Sequence, residues 1–155
     1  MGKLRARTER GLTLYVRQLA WLHAAPKPPE GSKRAEAKNP APILSRAEQM
    51  GRDGVALPMP PNPAPQITAK LLEIGLTEAT GFGAAPISWQ SIVAWQSAMG
   101  MRLPRWEVRL LRRLSVEYLA FGREAESEAC PPPWRGAVSE RAKEVEVERL
   151  RSVLG

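Results

Sequence analysis

PISWQSIVAWQSAMGMRLPRWEVRLLRRLSVEYLAF, residues 86–121, carries Trp89, Trp95 and Trp106, three of five tryptophans in a chain with only two phenylalanines and two tyrosines. Its spacing predicts two helices joined by the short link GMRLP. Ser88 is placed to cap the first, with Ile87 before it as a hydrophobic staple. Trp89, Ile92, Val93 and Gln96 then share one face, Trp95 and Met99 share an adjacent one, and Gly100 suits a left-handed ending. Pro104 fits the first position of the second helix, where its missing N–H is no loss, and Glu107 complements the positive helix end. Leu110, Leu111, Leu114, Tyr118 and Phe121 make an apolar stripe opposite Arg105, Arg109, Arg112 and Arg113. In a core domain of roughly 60 residues, a few large aromatics supply much of the buried area. The pattern therefore places Ile92, Trp95, Leu111, Leu114 and Tyr118 in the core, with Trp89 and Trp106 partly exposed.

Upstream, QITAKLLEIGL sets Ile67, Leu71 and Ile74 on one face of a helix of about three turns that Gly75 ends. The TGFGAAP that follows lacks the glycine spacing and the Lys-Ser/Thr of a phosphate-binding loop, and reads as a flexible connection. Ten of the fifteen prolines fall within residues 26–65, a composition that favours extended linkers. Before them TLYVRQLAWL has the spacing of one short amphipathic helix, marginal in isolation. After CPPPW, Ser139 suits the cap of a final charged helix with Val145, Leu150, Val153 and Leu154; it needs a partner surface, either a second chain or the core. These readings give an all-α chain, a small helical domain of three to four helices with a Pro-rich, largely disordered N-terminal arm. Its parts are a basic arm with a short helix (1–25), a Pro-rich linker (26–65), a Trp-rich helical domain (66–125), a Pro-rich stop (126–138) and a charged C-terminal helix (139–155). The change of composition before Met59 is also the mark that a merged upstream reading frame would leave.

Charge and composition narrow the function. The net charge of +7 is concentrated in residues 1–58, which hold 11 Lys/Arg against 5 Asp/Glu, while residues 59–138 hold 8 against 7 and residues 139–155 hold 4 against 4. A dispersed basic segment touches polyanions weakly and without sequence preference. One cysteine, Cys130, and one histidine, His23, give neither a disulfide nor a metal-ligand cluster nor a Cys/His pair. No carboxylate pair or Ser/His/Asp order marks catalysis, so the expectation is a non-enzyme without cofactor or metal. The apolar run near residue 12 is broken by Arg17, Gln18 and His23, which argues against a membrane span.

Residues 81–121 resemble a short pattern found in tail assembly chaperones encoded by tailed phages and prophages. The matching positions are Gly81, Phe82, Gly83, Pro86, Ile87, Ser88, Trp89, Ile92, Ala94, Trp95, Gly100, Leu103, Trp106, Glu107, Leu111, Leu114 and Tyr118. The chain departs from the pattern in having Pro104-Arg105 before Trp106, where a variable residue and then Pro are more usual. The resemblance implies a chaperone of the bacterial host cytoplasm that binds the tape measure protein and tail tube subunits, and is absent from the finished virion. Trp89, Met99, Met101 and Trp106 would then line an apolar surface for amphipathic helices, Met and Trp being adaptable to irregular partners.

The second reading is a DNA-binding helix-turn-helix. Residues 102–113 hold five arginines and one glutamate, and arginine forks suit phosphates and guanine edges. Arg105, Arg109, Arg112 and Arg113 would make those contacts. Against it, a recognition helix beginning Pro-Arg-Trp-Glu offers few small polar side chains to read bases.

Overall fold

Two long parallel helices frame the molecule. The computed structural model describes residues 1–136 and 140–155. In chain order the elements are α1 (Gly2–His23), α2 (Arg46–Arg52), α3 (Pro65–Ile74), β1 (Glu78–Thr80), β2 (Gly83–Ala85), α4 (Trp89–Met99), α5 (Arg105–Glu124) and α6 (Glu140–Leu154). The parallel course of α1 and α5 shows in their cross-contacts: Arg5 lies over Trp106, Glu9 pairs with Arg113, Arg17 with Glu117, and a parallel bridge joins Lys27 to Ser127 beyond both helices.

The N-terminal segment is the main correction to the sequence reading. It is not a disordered arm with a short helix but a 22-residue helix, with Leu12, Val16, Ala20 and Leu22 at most 1% exposed. Leu12 and Val16 belong to the same core cluster as Ala64, Ile67, Leu71, Ile87, Ile92, Leu110, Leu111 and Leu114. The boundary drawn between an arm and a helical domain therefore runs through one core. A helix that is marginal alone becomes stable when an apolar face is packed, and α5 supplies the facing stripe.

The Pro-rich stretch is likewise held in place, and it contains α2, whose Ser45 forms a reciprocal capping box with Glu48. Prolines leave little backbone freedom to lose on ordering, so a few anchors suffice. One anchor is Arg46. Its Nη1 donates to the carbonyls of Trp21 (3.0 Å) and Ala125 (2.7 Å), its Nη2 donates to that of Ser127 (3.0 Å), and the guanidinium stacks 4.5 Å from the Trp21 ring centroid. One cation thus caps the C-terminal ends of both α1 and α5, where carbonyls lack helical partners. Another is the fully buried Gln18, whose amide donates to the Pro58 carbonyl (2.8 Å) and accepts from the Trp134 N–H (3.1 Å), tying both proline-rich segments to α1.

The chain is mostly helical but not purely so. TGFGAAP is an antiparallel hairpin instead of a flexible connection, pairing Glu78 with Ala85, Ala79 with Ala84 and Thr80 with Gly83. Gly83 takes φ 113°, open to glycine alone at low strain, and the Thr80 hydroxyl donates to the Gly83 carbonyl at 2.7 Å. The base of the hairpin is fixed by Ser115 on α5, fully buried, which accepts from the Ile87 N–H and donates to the Leu76 carbonyl.

The helix pair within residues 86–121 forms largely as its spacing implies. Ser88 caps α4 by accepting from the Ser91 N–H at 3.1 Å, the Ser88 N–H and hydroxyl donate to Glu78, and Gly100 ends the helix at φ 62°. The start of α5 is Arg105, with Pro104 at the cap instead of the first helical position. Ile92, Leu111 and Leu114 are fully buried and Trp95 is 9% exposed, while Tyr118 packs at the core's rim. Glu107 does more than complement a helix end: it is buried and salt-bridged to Lys70 of α3 at 2.5 Å. The Ser139 cap expected for the last helix lies outside the described residues.

Candidate functional site

Six exposed large apolar side chains lie between the hairpin and the first turn of α5, and others stand at Leu4, Ile43, Leu57, Leu72 and Val116 and along α6. Trp89 is 47% exposed, Val93 61%, Met99 48%, Met101 42% and Trp106 37%. Trp89 and Met99 occupy the two ends of α4, roughly 15 Å apart at 1.5 Å per residue, so they line a band and not one closed pocket. Met101 follows in the link and Trp106 in the first turn of α5, with Trp106 on the flank beside α1 and Trp89 on the flank of Arg112. Both exposed indoles are half-roofed by cations: Arg112 sits 5.1 Å from the Trp89 ring centroid and Arg5 4.7 Å from that of Trp106.

Phe82, at the hairpin tip, is wholly exposed. Sequence reasoning read its Gly-Phe-Gly surroundings as a connection. Two glycines around one aromatic, bounded by Thr and Ala, were the available sign of a two-residue turn that holds a ring in solvent.

The four arginines of the second reading are not equivalent. Arg105 and Arg109 are exposed on α5, whereas Arg112 is half-buried against Trp89 with its Nε out of water and unbonded, and none of the three has a carboxylate partner among the described residues. Arg113 is turned toward α1 and bonded to Glu9 at 3.1 Å. An open groove between α1 and α5, lined by Glu9, Arg10, Thr13, Leu14, Arg17 and Phe121, presents both charge signs.

His23 Nδ1 lies 2.8 Å from the Tyr118 hydroxyl, the rings meeting edge to face. Partial burial lowers the imidazole pKa from 6.5 and raises that of the phenol above 10.0. Because the folded His23 pKa lies below the unfolded one, its contribution to stability is fully present above about pH 7.5 and is lost as pH falls through 6.5 toward the folded value. Melting temperature should therefore decline gently from pH 7.5 to pH 5.5, and His23→Gln should flatten that decline. An unchanged profile in the variant would assign the decline to other groups.

Among the described residues no group of three or more His, Cys, Asp and Glu is placed to hold a metal ion. No helix of the described residues is long and apolar enough to cross a membrane. The chain matches no family model, no curated protein and no solved structure.

Proposed function

We propose that this protein is a non-catalytic tail assembly chaperone that holds amphipathic helices of a tape measure protein, and presents tail tube subunits to it, on the band running from Trp89 to Trp106. The observation that carries this reading is where the exposed aromatics fall. Within residues 81–121, the stretch that resembles such chaperones, the matching Ile87, Ile92, Trp95, Leu111 and Leu114 are buried, but Phe82 is wholly exposed and Trp89 and Trp106 are partly so. Exposed aromatics of this kind, with Val93, Met99 and Met101 also exposed in the same stretch, are the composition of a surface that accepts a partner's apolar stripe. A shallow band rather than a tight pocket suits a partner of long and varied helical sequence.

Trp89→Ser and Trp106→Ser should each weaken binding of soluble tape measure fragments at least tenfold, about 1.4 kcal/mol. Each indole is more than half covered, so binding is compared at a temperature where circular dichroism shows both variants fully folded. Co-expression yield of the fragments in soluble form, with calorimetric titration, is the measurement. Equal binding by parent and both variants would remove the band from the function.

One observation favours a second reading, a helix-turn-helix that binds DNA through α5: Arg105 and Arg109 are exposed, and neither they nor the half-buried Arg112 has a carboxylate partner among the described residues. Replacing the three by Gln would then abolish duplex binding and lower the salt slope by about three units. Fragment binding that survives this triple change, together with no duplex binding by the parent, supports the chaperone.

A further inference from the structure

We infer that two copies of this chain associate through α6 as a parallel, two-stranded coiled coil, whatever the α4–α5 band binds. One side of α6 already has a seat. Val145, Glu148, Arg149 and Ser152 surround Asp53 at the end of α2, and Arg149 is ion-paired with Asp53. That contact fixes the rotation of the helix and turns the opposite side outward. On the outward side Val147, Leu150, Val153 and Leu154 are exposed, by 46, 55, 81 and 84%.

Their spacing sets a register. Val147 and Leu154 are seven apart and Leu150 lies between them, so Val147 and Leu154 take a positions and Leu150 takes d. Lys143 falls at the preceding d and ends the apolar seam. A β-branched residue at a followed by leucine at d favours two strands.

The flanking charges fit a second, parallel copy. Glu146 precedes the a residue Val147 and is therefore at g, and Arg151 follows the d residue Leu150 and is at e. In a parallel pair each g side chain faces the e side chain five residues further along the other strand, so two identical chains make two Glu146–Arg151 contacts by symmetry. In an antiparallel pair that sets Val147 against Leu150, Arg151 meets Glu144 and Glu146 meets Val153, so only the parallel pair engages Glu146. The same sequence thus supplies an apolar seam and a parallel flank in which Glu146 and Arg151 complement each other.

A seam of this length buries less than the 1,200 Å² or so of a standard specific interface. The expected dimer is accordingly weak and concentration-dependent, appearing over roughly 10 µM to 1 mM, as for short helices in general.

The test is sedimentation equilibrium of the full chain across that range. The parent should shift from monomer to dimer. Leu150→Asp should stay monomeric at 1 mM, with an unchanged melting temperature at low concentration because Leu150 is exposed in the monomer. Glu146→Arg alone and Arg151→Glu alone should each weaken the dimer at least tenfold, and the two together should restore it. In a Cys130→Ser background, Leu150→Cys should form a disulfide-linked dimer on oxidation, since d positions meet in a parallel pair. A parent that remains monomeric at 1 mM, or single charge changes that leave the dimer as strong as before, would overturn the inference; loss of dimer in the double charge variant would overturn the parallel register.

Discussion

Removing residues 1–58 should abolish the fold. The segment looks dispensable by composition, but it delivers Leu12, Val16, Ala20 and Leu22, each at most 1% exposed. Burial of a Val or Leu side chain is worth about 1.5–3 kcal/mol, so the set approaches the 5–15 kcal/mol by which a native domain is stable at all. The deletion would also uncover the α5 side that faces α1, and remove Arg46 from the carbonyls of Ala125 and Ser127. A fragment beginning at Met59 should therefore show no cooperative thermal transition and much less helical circular dichroism per residue than the whole chain. Limited proteolysis of the parent should cut first in the exposed run at residues 36–43, and leave α1 bound to the remainder until denaturant is added. A soluble Met59 fragment that melts cooperatively would show that the helices after residue 65 form their own core.

The reason this was hard to read from the sequence lies in what proline and arginine conceal. Helical spacing made α3, α4 and α5 legible, since Ile67, Leu71, Ile92, Leu111 and Leu114 recur on the period that a packed face requires. Ser88 and Gly100 marked their ends by local chemistry that needs no tertiary contact. The extent of α1 depended on α5, since residues 2–11 carry a charged and polar surface whose ordering comes from contacts such as Glu9 to Arg113 and Arg5 to Trp106. The anchoring of the Pro-rich stretch rests on single long-range bonds from Gln18 and Arg46, and periodicity carries no trace of these. Hairpin formation by TGFGAAP was hidden for the same reason, its strands being three residues each and held at the base by the distant Ser115. As for the candidate site, spacing separated the buried Trp95 from Trp89 and Trp106, whereas the exposure of Phe82 and the pairing of Arg113 with Glu9 depend on contacts outside their own helices.

Lys70→Met should destabilise the protein by about 3 kcal/mol, and a second change at Glu107 should return much of it. The Lys70–Glu107 bridge joins α3 to the first turn of α5 with the Glu107 side chain 9% exposed and that of Lys70 20%. Losing the ammonium leaves a carboxylate out of water with no cation to replace hydration, the costly half of breaking a buried pair. The two partners are not symmetric. Lys70 can turn its head to solvent when it loses its partner, because its stem is flexible and it is the more exposed of the two, so Glu107→Gln should cost only about 1 kcal/mol. The double variant Lys70→Met/Glu107→Leu removes both charges and fills the space with apolar atoms, which restores most of the loss. It should still fall short of the parent by several tenths of a kcal/mol, because Glu107 also sits in the first turn of α5, where a negative charge meets the positive end of the helix. Urea unfolding of the parent, Lys70→Met, Glu107→Leu and the double variant gives the coupling energy directly from the cycle. A Lys70→Met variant within about 0.5 kcal/mol of the parent would mean that the bridge behaves as a surface pair, and that α3 is held to α5 by Ile67 and Leu71 alone.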